Sequence, residues 1–273
     1  MQEQQLKERV KERYGKIALT GNSDCCCVPG ECCDDSGINK NGYQSVIAST
    51  KLIGYDTKDI DSIPLTSVLG VGCGAPTKFS DIRRGEVIVD LGSGAGIDVF
   101  LASNNAGKSG KVIGIDMTDE MLDKARKNAN DNGYTNVEFR KGDIEKRIPI
   151  EDNTADLALS NCVINLTTDK ISTFKEIYRI LKNAGGRMVV SDLVTDREID
   201  KDAVNPEKWC SCIDGALTKE NYLESIRKAG FKNVQILEEK PYMEEEQQEE
   251  QEGDNYKDTR RKISSLLIKA VKD

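Results

Sequence analysis

The 273-residue chain contains no histidine. Its absence removes the one side chain whose unperturbed pKa suits general acid or base work near neutral pH. Whatever chemistry occurs must run without imidazole. A second absence is any run of 18 or more apolar residues, so nothing in the sequence is long enough to span a membrane. The first residues, MQEQQLKERVKERYGK, carry charge where a secretory signal would carry an apolar core. That pattern predicts a charged helix and a cytoplasmic location. Basic excess is also missing. A net charge of −8 with no basic patch argues against nucleic acid as the main partner. No internal repeat is visible, and a monomer is the default expectation. The 37% hydrophobic and 32% charged composition describes a soluble globular protein, with one large domain or one domain plus a smaller piece.

Cysteine is what the chain has in quantity. There are nine, five of them in DCCCVPGECC: Cys25, Cys26, Cys27, Cys32 and Cys33. An odd number without an export signal favours metal binding or redox chemistry over a structural disulfide framework.

From Glu86 onward strand and helix patterns alternate. EVIVDL (86–91), KVIGIDM (111–117), NVEFRKGD (136–143), ADLALSN (155–161) and RMVVSDL (187–193) read as strands. IDVFLASNN (97–105), the amphipathic DEMLDKARKNANDNG (119–133) and DKISTFKEIYRILKNAGG (169–186) read as helices. The fold class is therefore α/β, a mostly parallel twisted sheet with helices on both faces. NVQILEEK (233–240) and ISSLLIKAVK (263–272) are predicted to close it as an antiparallel hairpin, with an acidic, low-complexity insertion at 241–258. The expected organisation is an N-terminal helical and cysteine-rich segment over 1–64, a cofactor-binding domain over 65–200, and a C-terminal ligand-binding and helical region with the closing hairpin over 201–273. In LGVGCGAP, three glycines (70, 72, 74) imply a loop held tightly against a neighbour.

VDLGSGAGID (89–98) lies between a strand and a helix, and Asp116 follows 20 residues after Gly96 at the end of the next strand. Glycines that admit a ligand close to the backbone, with a carboxylate placed for ribose hydroxyls, suit a nucleoside-bearing cofactor. The G-x-G-x-G spacing resembles the first motif of the Rossmann-like methyltransferases that use S-adenosylmethionine. That resemblance implies that Asp116 holds the ribose hydroxyls and that Asp143 and Ile144 flank the adenine. It implies too that Asp90, Gly92, Gly94 and Gly96 face the methionine half, with Ser93, Met117 and Asn161 completing the cofactor set.

Ligand sites in open α/β sheets lie beyond the carboxyl ends of the strands. The fourth strand runs into SNCVINL, putting Cys162 at that edge, and the connection after the fifth contains KWCSCIDGAL, with Cys210 and Cys212. Cys73, in VGCGAP, can fold over the same opening. A single free thiol is most often just a small buried apolar residue. Cysteines on three separate loops reaching one edge are better explained by a soft, thiophilic ion. Three sulfurs around a pyramidal centre with a lone pair suit trivalent arsenic.

VGCGAP, VDLGSGAGID, IGIDMTDEML, SNCVINL and CIDGAL together resemble the arsenite S-adenosylmethionine methyltransferases, over about residues 65–240. The resemblance implies that Cys73, Cys162 and Cys212 are arsenic ligands and redox participants, leaving Cys210 as an extra thiol. It implies arsenite and methylarsenite as substrates in a detoxification role, and a thiol reductant, glutathione or thioredoxin, as co-substrate. An N-terminal cysteine would join Cys73 in the redox step. Cys25, Cys26, Cys27, Cys32 and Cys33 all compete for that role, with Cys32 and Cys33 closest in sequence. Two other readings remain: a methyltransferase for a small organic acceptor such as a quinone or sterol ring, and a non-catalytic metalloid-binding or sensor protein.

Overall fold

The computed structural model describes residues 3–21, 40–245 and 261–273. Cys25, Cys26, Cys27, Cys32 and Cys33, and residues 246–258 of the acidic insertion, lie outside the described residues. Among the described residues, three helices, α1 (Glu3–Thr20), α2 (Lys40–Leu52) and α3 (Thr57–Asp61), precede the sheet. Then come β1 (Val87–Leu91), α4 (Ile97–Ala106), β2 (Lys111–Asp116), α5 (Asp119–Asp131), β3 (Val137–Lys141), β4 (Leu157–Asn161), α6 (Lys170–Ile180) and β5 (Arg187–Thr195). The chain continues through α7 (Pro206–Cys210), α8 (Lys219–Lys228), β6 (Asn233–Glu245) and β7 (Arg261–Val271).

The seven strands form one sheet in the order β3-β2-β1-β4-β5-β7-β6. β1 to β5 are parallel, and β7 runs antiparallel to both β5 and β6. Period-2 alternation along the central strands feeds two cores. Val89, Ile113, Ala158, Met188 and Val190 pack on the α6–α8 face, and Ile88, Val112, Leu157, Leu159 and Val189 on the α4–α5 face. The parallel sheet, its two helical layers and the closing hairpin are thus as the sequence predicts.

Two local expectations shift. The helix read over 169–186 ends at Ile180, because Leu181 turns to extended backbone (ψ 141°) and bridges to Ala155. Its side chain is fully buried all the same. The strand expected over 233–240 runs on to Glu245, into the residues expected as the acidic insertion, and α8, within the C-terminal region expected to be helical, lays Tyr222 and Ile226 into the α6 core.

The sheet order reverses between β1 and β4, which sit side by side with Leu91 opposite Ser160. Connections leaving these strands diverge, opening the crevice in which such sheets bind ligands. The glycine turn follows β1 and Cys162 follows β4, so both stand at its mouth.

Candidate active site

A cavity beyond these strand ends is lined by Gly92, Gly94, Asp116, Met117, Asp143, Ile144, Asn161, Cys162 and Cys212, among others. Three residues of the expected cofactor set lie behind its wall. Asp90 is buried near the end of β1, Ser93 has a buried hydroxyl with no hydrogen-bond partner among the described residues, and Gly96 caps the start of α4 with φ +101°. Gly92 is required by proximity as well as by its φ of +69°, since a Cβ there would meet Val163 at 2.5 Å.

Asp116 accepts hydrogen bonds from the Gly94 and Thr118 amides, both at 2.9 Å. Burial raises its pKa, and those amides pull it back. Burial, then the charges of Asp98 and Asp116, push Asp90 well up. Asp98, also buried, rises to about 6 by desolvation, against hydrogen bonds from Tyr55, Asn161 and Thr77. Asp116, half-buried and lining the cavity, with Asp90 and Asp98 buried behind it, gives this end of the sheet an acidic character whose charge suits a cationic ligand. A cofactor bearing a sulfonium and an ammonium fits both this charge and the glycine cradle.

The Asp98 shift has a testable consequence. An unfolded Asp titrates near pH 3.9, so between about pH 4 and 6 the folded chain holds the extra proton and stability falls as pH rises, by up to about 1.4 kcal/mol per pH unit. Asp98→Asn is expected to flatten that slope in denaturation series across the window. An unchanged slope would show that another group carries it.

α1 supplies a wall that motif reading missed. Its apolar residues recur at Leu6, Val10, Tyr14, Ile17 and Ala18, a helical stripe, and Lys7, Val10, Arg13, Tyr14 and Ile17 line the cavity. Lys7 pairs with Asp143 (3.0 Å), Glu145 (2.7 Å) and Glu3 (3.1 Å). Burial depresses the Lys7 ammonium, but these carboxylates more than offset it and hold its pKa above the ordinary lysine value. The expected adenine-flanking acid thus also fastens α1 across the opening.

At the other end of the cavity the cysteines meet. Cys73 is 4% exposed and Cys212 2%, while Cys162 is half-buried. The Cys212 thiol donates to the Cys162 carbonyl at 2.8 Å. Hydrogen bonding with the Cys212 and Cys73 side chains, then burial, pushes the Cys162 thiol well up. The three thiols expected to act together are therefore brought together. Cys210 sits in α7, buried in the same cluster, and its carbonyl accepts the Tyr14 hydroxyl at 3.4 Å.

Each thiol is held by an evident device. Asn161 accepts the Cys73 amide (3.0 Å) and donates to the Gly74 carbonyl (2.7 Å) and to Tyr55 Oη (2.9 Å), pinning the glycine-rich loop onto β4. That loop cannot stand off: a Cβ on Gly74 would meet Ser191 Oγ at 2.2 Å. Cys162 and Cys212 adopt φ values of +59° and +64°, a left-handed conformation that costs a non-glycine residue about 1–3 kcal/mol and that clusters at functional sites. The Cys212 segment is tied down by Asn205, which caps α7, and by a buried Asp214–Arg261 ion pair at 2.8 Å. Asp214 also accepts the Asn205 amide.

One neighbour escaped the motif reading. The β4–β5 register pairs Asn161 with Ser191, which puts Asp192 beside Cys162. A carboxylate oxygen of Asp192 and the sulfurs of Cys73 and Cys162 all lie within 4.8 Å of one another. Asp192 is wholly buried, accepts the Tyr222 hydroxyl at 2.8 Å, and is pushed up to about 7 by desolvation. The signal was present: an acid inside the apolar run RMVVSDLV. Nearby Lys170 is buried, donates to the Thr167 carbonyl and lies 5.7 Å from the Trp209 ring centroid; desolvation lowers it to about 8 against the charges of Asp192 and Cys212.

A family model described as a methyltransferase domain matches residues 82–230. The chain is similar to the arsenite methyltransferase of Halobacterium salinarum, with 38% identity over 240 residues, 85% of this chain and 59% of that one. It is 34% identical to the arsenite methyltransferase of Aquipseudomonas alcaligenes, over 86% of this chain and 65% of that one. Among solved structures it resembles an arsenic(III) S-adenosylmethionine methyltransferase from Chlamydomonas reinhardtii, with a TM-score of 0.61 and 30% identity, covering 82% of this chain and 72% of that one. The chain belongs to the arsenite S-adenosylmethionine methyltransferase family. It spans about 60% of the length of the first two of these relatives. Among the described residues of this family member, no helix is long and apolar enough to cross a membrane.

Proposed function

We propose that the protein methylates trivalent arsenic, taking the methyl group from S-adenosylmethionine, and that it serves in arsenic detoxification. The observation that carries this reading is that Cys162 and Cys212 line the same cavity as Gly94 and Asp116, with Cys73 close behind. Bound there, the cofactor would supply a methyl group on a positively charged sulfur.

The donor set fits the substrate. Arsenite carries three hydroxyls, and exchange with the thiols of Cys73, Cys162 and Cys212 gives a neutral trithiolate and three waters. Each departing hydroxide takes the proton of an incoming thiol, so no separate base is needed even though Cys162 holds its proton tightly. This accounts for active chemistry in a chain without histidine. Thiolates keep the arsenic pyramidal and electron-rich, with the lone pair free for the methyl carbon, while α1 and the apolar wall of Ile115, Met121 and Val163 exclude water.

Methylation oxidises arsenic formally to the pentavalent state. A thiolate then attacks one ligating sulfur; the electron pair of that arsenic–sulfur bond stays on arsenic, which returns to the trivalent state as a disulfide forms. We assign the attacking thiolate to the N-terminal cysteines, with Cys32 and Cys33 the nearest to Cys73 in sequence, and the reopening of the disulfide to glutathione or thioredoxin. The test is incubation of the protein with arsenite, S-adenosylmethionine and excess thiol, with arsenic species separated by chromatography and detected by mass. Methylated arsenicals formed over several turnovers are expected. Arsenite bound tightly without methylated product would make the protein a sequestering or sensing one.

A further inference from the structure

The reaction proposed above begins with a neutral arsenic trithiolate and ends, at the moment of transfer, with a cation. The arsenic lone pair forms the new As–C bond, the methyl–sulfur bond of the cofactor breaks with its pair remaining on sulfur, and the positive charge moves from that sulfur to arsenic. A site that accelerates this step must favour positive charge at arsenic and not merely hold three sulfurs. Preorganised charge aimed at a centre where charge develops is among the largest contributions a protein can make to catalysis.

Thiolates alone cannot supply it, since their charge is consumed in bonding the metalloid. The structure carries a further group in place. Asp192 contributes a carboxylate oxygen within 4.8 Å of the Cys73 and Cys162 sulfurs, close enough for an atom bridging those sulfurs to meet it. The residue is fully buried in β5 and shielded from water. One oxygen is fixed by the Tyr222 hydroxyl at 2.8 Å; the other, Oδ1, makes no hydrogen bond among the described residues, although the Asn165 and Ile164 amides lie near enough to draw on the carboxylate. A buried, half-satisfied carboxylate beside two thiols is costly to the fold unless it has work to do.

We infer that Asp192 is a catalytic residue of the arsenic site, its carboxylate contacting the thiolate-bound arsenic and stabilising the positive charge that methyl transfer places there. This rests on the arsenite methyltransferase reading, and it assigns the rate enhancement at the acceptor side to one acid that lies outside the family's cysteine motifs. Tyr222 is its positioning residue, wedged in the core by an edge-on ring contact with Phe174 at 5.5 Å.

Binding and transfer can be read separately, because the chain's single tryptophan, Trp209, packs in the same cluster as Cys73, Cys162 and Cys212. Arsenite titration followed by Trp209 fluorescence gives affinity, and single-turnover mixing of the arsenite-loaded protein with S-adenosylmethionine gives the methyl-transfer rate. Asp192→Asn keeps an acceptor for Tyr222 and removes the charge. It is expected to bind arsenite within about threefold of the parent and to transfer methyl about 100-fold more slowly. Asp192→Ser carries the same expectation and serves if the amide variant does not fold.

Tyr222→Phe instead removes the hydrogen bond from Tyr222 and leaves the carboxylate, and should slow transfer by no more than about tenfold. Transfer within threefold of the parent in Asp192→Asn would overturn the inference. Equal losses in Asp192→Asn and Tyr222→Phe would overturn it too, by reducing Asp192 to a structural anchor, as would a loss confined to arsenite affinity. Failure of the underlying function is distinguishable: the parent protein would then quench with arsenite and yield no methylarsenical, and the inference would fall with it.

Discussion

Cys162→Ser is expected to lower arsenite methylation by roughly 1000-fold, about 4 kcal/mol of transition-state stabilisation, while leaving the fold intact. Cys162 is in contact with both of the other thiols, and it also lines the cavity shared with the cofactor motif. Removing its sulfur would take one ligand from the proposed trithiolate. Oxygen is a harder donor that binds trivalent arsenic weakly and withdraws electron density from the lone pair.

The backbone has no reason to respond. Serine carries the same Cβ into the same left-handed conformation, φ +59°, and the Cys162 amide still reaches the Ser191 carbonyl at 2.8 Å. Stability should therefore stay within about 1 kcal/mol of the parent. Turnover, with arsenite titration read at Trp209, checks both halves. Methylation within tenfold of the parent would mean that arsenic is held without this sulfur, and the site as described would be wrong.

The second large effect is structural. Gly215→Ala is expected to cost about 3 kcal/mol or more of stability and to abolish tight arsenite binding. A Cβ at 215 would stand 1.9 Å from the Asn165 carbonyl oxygen, a backbone atom. Asn165 cannot give way, being fully buried with its amide donating to the Leu193 carbonyl at 2.7 Å. The Cys212 segment would have to move instead, against the Asp214–Arg261 pair and the Asn205 amide bonded to Asp214. Cys212 is carried away with it.

Gly133→Ala separates this mechanism from ordinary glycine strain. Position 133 has φ +70° and nothing within 4 Å of an added Cβ, so its cost should be about 1–2 kcal/mol with arsenite binding unchanged. Denaturation midpoints and Trp209 titrations of the two variants make the comparison. Equal, small losses in both would remove close backbone packing as the reason for glycine in CIDGAL.

Much of this protein is legible in its sequence because the relevant signals are local. Alternation of β-branched runs with amphipathic helices sets the sheet and its two faces. The turn chemistry of VDLGSGAGID marks the cofactor crevice, since only glycine tolerates both the positive φ and the approach of Val163 at position 92. The thiols of VGCGAP, SNCVINL and CIDGAL could be nominated because cysteines on separate loops after parallel strands have one edge on which to meet.

What the sequence could not decide is which side chains those elements bring within reach. Strand register alone sets Asp192 beside Cys162, and pairing partners are fixed by the packing of both sheet faces and not by either strand. The apolar stripe of α1 was visible as a helix, but a stripe does not say what it covers; here it covers the cavity, latched through Lys7 to residues 136 and 138 positions away. The left-handed turns at Cys162 and Cys212 have no glycine to announce them. Composition and motif thus determined the fold and nominated the cofactor crevice and the thiols. The tertiary structure alone decided the buried acid and the covering helix, because long-range proximity comes from the cooperative packing of the whole sheet.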